Sequence, residues 1–216
     1  MFYLVKMPWW LKKWYGRLVW DIPVQDKVLY LSFDDGPHPE VTPFVLDMLK
    51  QYDAKATFFC IGKNVVAYPQ IYKRILSEGH RTGNHTYNHL NGWKTPDKDY
   101  VENIRQASMY IDSDLFRPPY GRISAFQSAF LRGAPFNYKI IMWDVLSADF
   151  DRALTAEKCA GYVIRHGRPG SIVVFHDSEK AYDRLRGALP EVLKKFSVEG
   201  YRFEAIFSQK GRSGVV

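Results

Sequence analysis

Asp34 and Asp35 stand side by side, directly after the apolar run Val28–Phe33 and directly before Gly36-Pro37. The run mixes β-branched, aromatic and aliphatic residues as a buried strand does, and Gly-Pro then breaks the chain. Two adjacent carboxylates repel, and a cation is the simplest group that stabilises them. Taken alone, the same residues also suit a solvated Asp-Gly-Pro turn. Further on, His85 and His89 lie four apart in Gly-Asn-His-Thr-Tyr-Asn-His. A helical turn there would carry both imidazoles on one side, as a metal site needs. Without a partner, the pair reads first as two satisfied surface histidines. Joined to a carboxylate from a neighbouring strand end, it makes a His-His-Asp set with coordination positions left open. Open positions mark catalytic rather than structural zinc, and the same set serves non-haem Fe(II) oxygenases.

The elements that must position these residues alternate. Strands are predicted over 28–33, 56–61, 80–84, 115–117, 139–143, 171–175 and 201–205. Helices are predicted over 42–52, with Thr42-Pro43 as cap and first turn, and over 69–78, 95–112, 124–131, 155–166 and 182–196. About seven strands alternating with helices indicate an α/β fold with a parallel sheet, open or closed into a barrel. Polar residues follow strand after strand: Asp34-Asp35, then His85 and His89, then Arg117-Pro-Pro-Tyr120-Gly, then Asp144 and Asp149, then His176-Asp177. The carboxyl edge of such a sheet is where ligands bind, so these residues are expected to form a single active site.

Bulk properties narrow the classes. With 216 residues and 46% hydrophobic composition, the chain is expected to be one globular domain. Its 16% aromatic content favours surfaces that can stack on sugar rings. The net charge of +7 comes from basic residues scattered among acidic ones, with no nucleic-acid module. Cys60 and Cys159 have no metal-knuckle or disulfide spacing and read as buried small hydrophobes. No signal peptide or apolar span is evident, making cytoplasmic the default location, with cell-envelope association open. Four of the six tryptophans, Trp9, Trp10, Trp14 and Trp20, fall in the first 22 residues. A helix from Pro8 would carry Trp10, Leu11, Trp14 and Leu18 on one side and Lys12, Lys13 and Arg17 largely on the other. Such a stripe suits a membrane interface, but packing on the barrel is preferred. The expected division is a Trp-rich segment over 1–23, a catalytic domain over 24–208 and a mobile tail over 209–216.

Together these residues resemble the polysaccharide deacetylases, the carbohydrate esterase family with the NodB homology domain. The motifs stand as Ser-Phe-Asp34-Asp35-Gly-Pro, His85-Thr-Tyr-Asn-His89, Arg117-Pro-Pro-Tyr120-Gly, Trp143-Asp-Val-Leu-Ser-Ala-Asp149-Phe150 and Val174-Phe-His176-Asp177, in family order within Lys27–Phe207. The resemblance implies a distorted (β/α) barrel of about seven parallel strands. It implies that Asp35, His85 and His89 hold a divalent metal, zinc first and cobalt or another divalent ion second. Asp34 would be the general base, His176 the general acid, and the Tyr120 backbone N–H an oxyanion donor. Arg117 would orient Asp34, and Asp149 would keep His176 and Arg117 in place. Tyr120, Phe150, Val174 and Trp93 would contact substrate, Trp93 by stacking on a sugar face or else by packing in the interior. The fourth motif departs from the family, which often has an acid where Leu146 stands and tryptophan where Phe150 stands.

The expected function is metal-dependent removal of N-acetyl groups from glycans containing N-acetylglucosamine, such as peptidoglycan or chitin-like oligosaccharides. The alternatives are an O-acetyl esterase or small-amide hydrolase with the same site, a catalytically silent glycan-binding protein, and an Fe(II) oxygenase. The residues leave the native metal and the oligomeric state open.

Overall fold

The computed structural model describes residues 3–207; the expected tail over 209–216 lies outside them. In chain order the elements are α1 (Trp9–Trp14), β1 (Val28–Asp34), α2 (Val41–Gln51), β2 (Ala56–Cys60), α3 (Gly62–Ala67), α4 (Pro69–Ser77), β3 (Arg81–Asn84), α5 (Asp97–Ser108), β4 (Leu115–Phe116), α6 (Ala125–Arg132), β5 (Lys139–Ile140), β6 (Val145–Leu146), α7 (Ala156–His166), β7 (Ile172–His176), α8 (Tyr182–Val198) and β8 (Arg202–Phe203). All pairings between these strands are parallel, in the order β5-β4-β3-β2-β1-β7-β6, with β8 on the lower half of β1. Seven strands thus curl into a distorted barrel with the helices outside.

β1 is central. Every one of its residues is buried, because β2 and β7 flank it while one face meets the helices and the other the barrel interior. Phe33 stacks between Phe58 of β2 and Phe175 of β7, which aligns the three strand ends. Leu185, Leu189, Val192 and Leu193 of α8 and Val163 of α7 close the outer face. Cys60 and Cys159 are both free and buried in this layer, as expected.

Several boundaries differ from the sequence reading. The strand expected over 139–143 stops at Ile140; the chain continues as irregular backbone, and β6 begins only at Val145. The reason is that the barrel is open between β5 and β6. The N-terminal segment fills this seam, bridging Lys6 to Val145 and Val19 to Ile141. Helix α2 starts at Val41, and Thr42 is no cap. Its hydroxyl accepts from the His38 N–H (2.7 Å) and donates to Asp177 (2.5 Å) instead. Helix α3 was not anticipated, being a short six-residue element that begins with glycine. α6 shows the capping box that its Ser124 and Gln127 encode.

The Trp-rich segment divides by face. Met7 and Trp20 are buried, and Leu11 and Leu18 pack against the cluster around Tyr100, Phe116 and Tyr138. Trp9, Trp10 and Trp14 are 75%, 54% and 81% exposed, so the stripe expected to unite Trp10 and Trp14 with Leu11 and Leu18 is split. Lys12 sets the roll of the helix by turning inward onto Asp144. Among the described residues, no helix is long and apolar enough to cross a membrane.

Candidate active site

Five strand ends deliver the site. β1 ends in Asp34, and Asp35 follows in a left-handed conformation (φ 82°) that turns its side chain away from its neighbour's course. The turn is tight. A β-carbon on Gly36 would lie 2.0 Å from an Asp177 oxygen, so only glycine fits there. Asp177 clamps this turn, accepting from the Gly36 N–H (3.0 Å) and from the Thr42 hydroxyl. Burial pushes the Asp177 carboxyl up to about 8.

His85 and His89 do not sit on a helical turn. They follow β3 in an irregular loop in which Thr86 (φ 62°) and His89 (φ 59°) are left-handed. The side-chain carbonyl of Asn103 on α5 accepts from the Tyr87 and Asn88 amides (both 2.9 Å) and supplies the order a helix would have given. The rings converge all the same. One ligand atom from each of Asp35, His85 and His89 lies within 4.8 Å of the others. Asp35 Oδ1 is 3.1 Å from His89 Nε2 and 3.6 Å from His85 Nε2.

Three observations test whether this triad suits a cation. Asp35 Oδ1 is buried, and no hydrogen bond satisfies it. An orphaned carboxylate oxygen is costly unless something positive meets it. His85 Nδ1 donates to the Arg117 carbonyl (2.7 Å), which fixes the tautomer and leaves the Nε2 lone pair facing Asp35. Burial pushes His85 down to about 4, so the ring is neutral as a ligand must be. For Asp35, burial opposes ionisation, but His89, His176 and His85 hold it well below the usual carboxylate range. The residues fit a divalent cation.

Asp34 is separate from this group. Its Oδ1 accepts from Arg117 Nη1 (2.7 Å), and Arg117 is fully buried with its other donors on Ser32 Oγ and the Ile141 and Met142 carbonyls. The guanidinium also lies 4.0 Å from the Phe59 ring centroid. Four acceptors and one ring leave it no other rotamer, so it holds Asp34 in one place.

On β7, His176 pairs in register with Asp34 across the sheet. Asp149 grips it twice, accepting from Nδ1 (2.7 Å) and from the backbone N–H (2.8 Å). Burial works against charge on His176, but the charge and hydrogen bond of Asp149, with Asp35 and Asp34, outweigh it and raise the ring to about 9. The network expected to run from Asp149 to both His176 and Arg117 is instead two pairs, Arg117–Asp34 and Asp149–His176. Their separation follows from their elements: Arg117 ends β4, on the far side of β1 from β7.

Tyr120 is left-handed (φ 60°) in the turn after β4, with its ring 4.6 Å from that of His89. Gly121 (φ 65°) packs against Trp143, where a β-carbon would come within 2.6 Å. Asp35, His89 and Tyr120 are thus three non-glycine residues held at positive φ within one site, strain that the surroundings must enforce. Phe150 meets His176 edge-on at 5.3 Å. Val174 lies two residues before His176 on the same strand face and is almost wholly buried. Trp93 is not an interior packing residue: it is 60% exposed, donates to the Ile123 carbonyl and carries Arg122 over its ring at 4.1 Å.

One sequence candidate is misplaced. Asp144 precedes β6, at the opposite end of the barrel, where it binds Lys6 (2.5 Å), Lys12 and Ser171 (2.6 Å). The early end of the expected strand put it on the wrong edge. Two contributors were missed. Tyr3 packs on Phe150 (5.4 Å) and donates to Asp151 (2.7 Å), walling the His176 side. Arg184 of α8 donates to the Asp149 carbonyl (2.6 Å) and steadies the residue that holds His176. Neither contact has a local sequence signal, since each joins residues at least 35 positions apart.

Comparisons with known proteins agree with this fold. Residues 21–134 match the polysaccharide deacetylase family. A peptidoglycan-N-acetylglucosamine deacetylase of Bacillus cereus is 34% identical over 197 residues, covering 88% of this chain and 92% of that protein. A chitooligosaccharide deacetylase of Azorhizobium caulinodans is 31% identical over 186 residues, covering 82% of each. The crystal structure of the Bc1960 peptidoglycan N-acetylglucosamine deacetylase superposes with a TM-score of 0.82 at 31% identity, covering 93% of this chain and 95% of that one. With a family match over more than half its length and a relative 34% identical across 88% of it, this chain belongs to the polysaccharide deacetylase family.

Proposed function

We propose that this protein is a metal-dependent N-deacetylase that hydrolyses the acetamido group of N-acetylglucosamine-containing glycans to acetate and a free amine. The observation that carries the reading is the convergence, at one strand edge, of the Asp35–His85–His89 triad, its Asp35 Oδ1 unsatisfied, with a carboxylate held by Arg117 and an imidazole held by Asp149. Relatives named as peptidoglycan and chitooligosaccharide deacetylases support the substrate class.

Asp35, His85 and His89 would hold the cation, with zinc preferred for its affinity for two imidazoles and a carboxylate and cobalt as the alternative. When bound, such a cation supplies Lewis acidity toward the acetyl oxygen and lowers the pKa of water. Asp34 takes the proton from the attacking water. Arg117 keeps its carboxylate aimed through the Nη1 hydrogen bond. The Tyr120 backbone N–H donates to the developing oxyanion. His176, protonated across the neutral range, gives its Nε2 proton to the departing sugar amine, while Asp149 on Nδ1 keeps that nitrogen turned outward. Phe150 and Tyr3 shield the same side from water, and the exposed Trp93 offers a face for a neighbouring sugar ring.

The test is acetate release from chitin oligomers, peptidoglycan and acetylated xylan by protein stripped of metal and reloaded with zinc or cobalt. Release from the N-acetylated substrates that chelator abolishes and metal restores is expected. Release only from acetylated xylan would reassign the site to ester hydrolysis. Glycan binding with no release from any substrate would make the protein a silent binding module.

A further inference from the structure

Helix α1 projects from the barrel end opposite the active site. The Met7 amide bonds to the Asp144 carbonyl (3.0 Å), Lys12 binds the Asp144 side chain, and Asp21 bridges to Ser171. Asp144 and Ser171 immediately precede β6 and β7, whereas His176 ends β7. Leu11 and Lys12 fill the inward face of the helix, so Trp9, Trp10, Lys13 and Trp14 make one continuous outward arc, with exposed Tyr15 and Arg17 just beyond it. No α1 residue is fully buried.

Large aromatic rings are expensive to leave in water, and tryptophan is the residue that gains most at a bilayer headgroup boundary. The charge around the arc is of one sign. Lys13 and Arg17 are exposed beside the rings, and Lys6 donates to the His166 carbonyl (3.2 Å), which brings the exposed Arg165 and Arg168 to the same end. The nearby acids, Asp21 and Asp144, are already paired with Lys12 and Lys6. A symmetric contact between two copies would oppose Lys13 and Arg17 to their own counterparts. A glycan strand bound here would be a full barrel length from the catalytic edge. An anionic bilayer matches both the rings and the charge.

We propose that the Trp9–Trp10–Trp14 face of α1, with Lys13 and Arg17, docks the protein on an anionic lipid surface. Docked this way, the barrel stands with its catalytic edge turned away from the bilayer.

The experiment is co-sedimentation of the full chain with vesicles of equimolar phosphatidylglycerol and phosphatidylcholine, of phosphatidylcholine alone, and with insoluble chitin, alongside the tryptophan emission maximum. Binding to the anionic vesicles with a blue shift is expected, weaker on phosphatidylcholine and in high salt. The combined Trp9→Ala, Trp10→Ala, Trp14→Ala variant is expected to lose at least about tenfold in partitioning. A Lys13→Gln, Arg17→Gln variant is expected to lose binding only on the anionic vesicles. Both variants should melt at the parental temperature, because all five side chains are exposed. The proposal is overturned if the parent stays in the supernatant with anionic vesicles, if the tryptophan variant partitions equally, or if the tryptophans instead support a dimer or chitin binding without vesicle binding.

Discussion

Asp34 and Asp35 are neighbours in sequence with opposite environments. One is gripped by a buried guanidinium; the other keeps an oxygen that no hydrogen bond satisfies. Asp34→Asn is therefore expected to lower kcat by roughly 10²–10⁴ with little change in KM, measured as acetate release from chitin oligomers. Arg117→Ala should behave differently. It leaves Asp34 buried without its counter-charge and is expected to destabilise the fold by about 3–5 kcal/mol, read from denaturant midpoints. His176, raised to about 9 by Asp149, remains an acid through neutral pH. Activity should fall as pH rises above about 9, and Asp149→Asn should shift that alkaline limb downward. A pH–rate profile on the alkaline side checks both.

At the scale of elements, the first strand and its turn depend on long-range clamps. Asp177→Ala removes the acceptor of the Gly36 N–H and of the Thr42 hydroxyl, so the β1 turn should loosen. The expected result is weaker zinc affinity, measured by competition with a chelator, and partial rescue by Asp177→Asn, which keeps the acceptor oxygen. His80 reports on the neighbouring β2–β3 region. It is buried edge-on to Phe58, accepts from the Ala56 amide (3.2 Å), and burial lowers it to about 4. The unfolded chain then binds more protons than the folded one between pH 6.5 and 4. Stability contributed by the neutral ring is complete above the upper value and is lost as pH falls, on the order of 3 kcal/mol. Denaturant midpoints across that window should fall in the parent and flatten in His80→Gln.

For the whole molecule, the open seam between β5 and β6 makes the N-terminal segment part of the barrel rather than an appendage. Its bridges to Val145 and Ile141 and the burial of Met7 and Trp20 tie it there, and Tyr3 continues it to the His176 wall. The same segment thus joins the exposed tryptophans at one end to the catalytic edge at the other. Zinc binding should stabilise the whole domain by mass action, because two separate loops supply the three ligands and the unfolded chain cannot gather them. A rise in melting temperature with zinc that disappears in His85→Ala measures this directly.

The alternation of strands and helices, the barrel class and most of the residues gathered at the candidate site were legible in the chain itself. Buried parallel strands need continuous apolar runs, and a strand that ends in Asp-Asp-Gly-Pro announces where its polar residues stand. Tertiary structure decided the rest. Only the strand order separates the Asp149–His176 pair from the Arg117–Asp34 pair, and only the late start of β6 puts Asp144 at the far end of the barrel. The positive φ angles of Asp35, His89 and Tyr120 are imposed by contacts made across the sheet, which no local propensity encodes. The direction of α1 is likewise set from outside, since Lys12 turning in to Asp144 obliges Trp10 and Trp14 to face outward. Local sequence specifies which residues can do chemistry; the packing of distant segments specifies which of them meet.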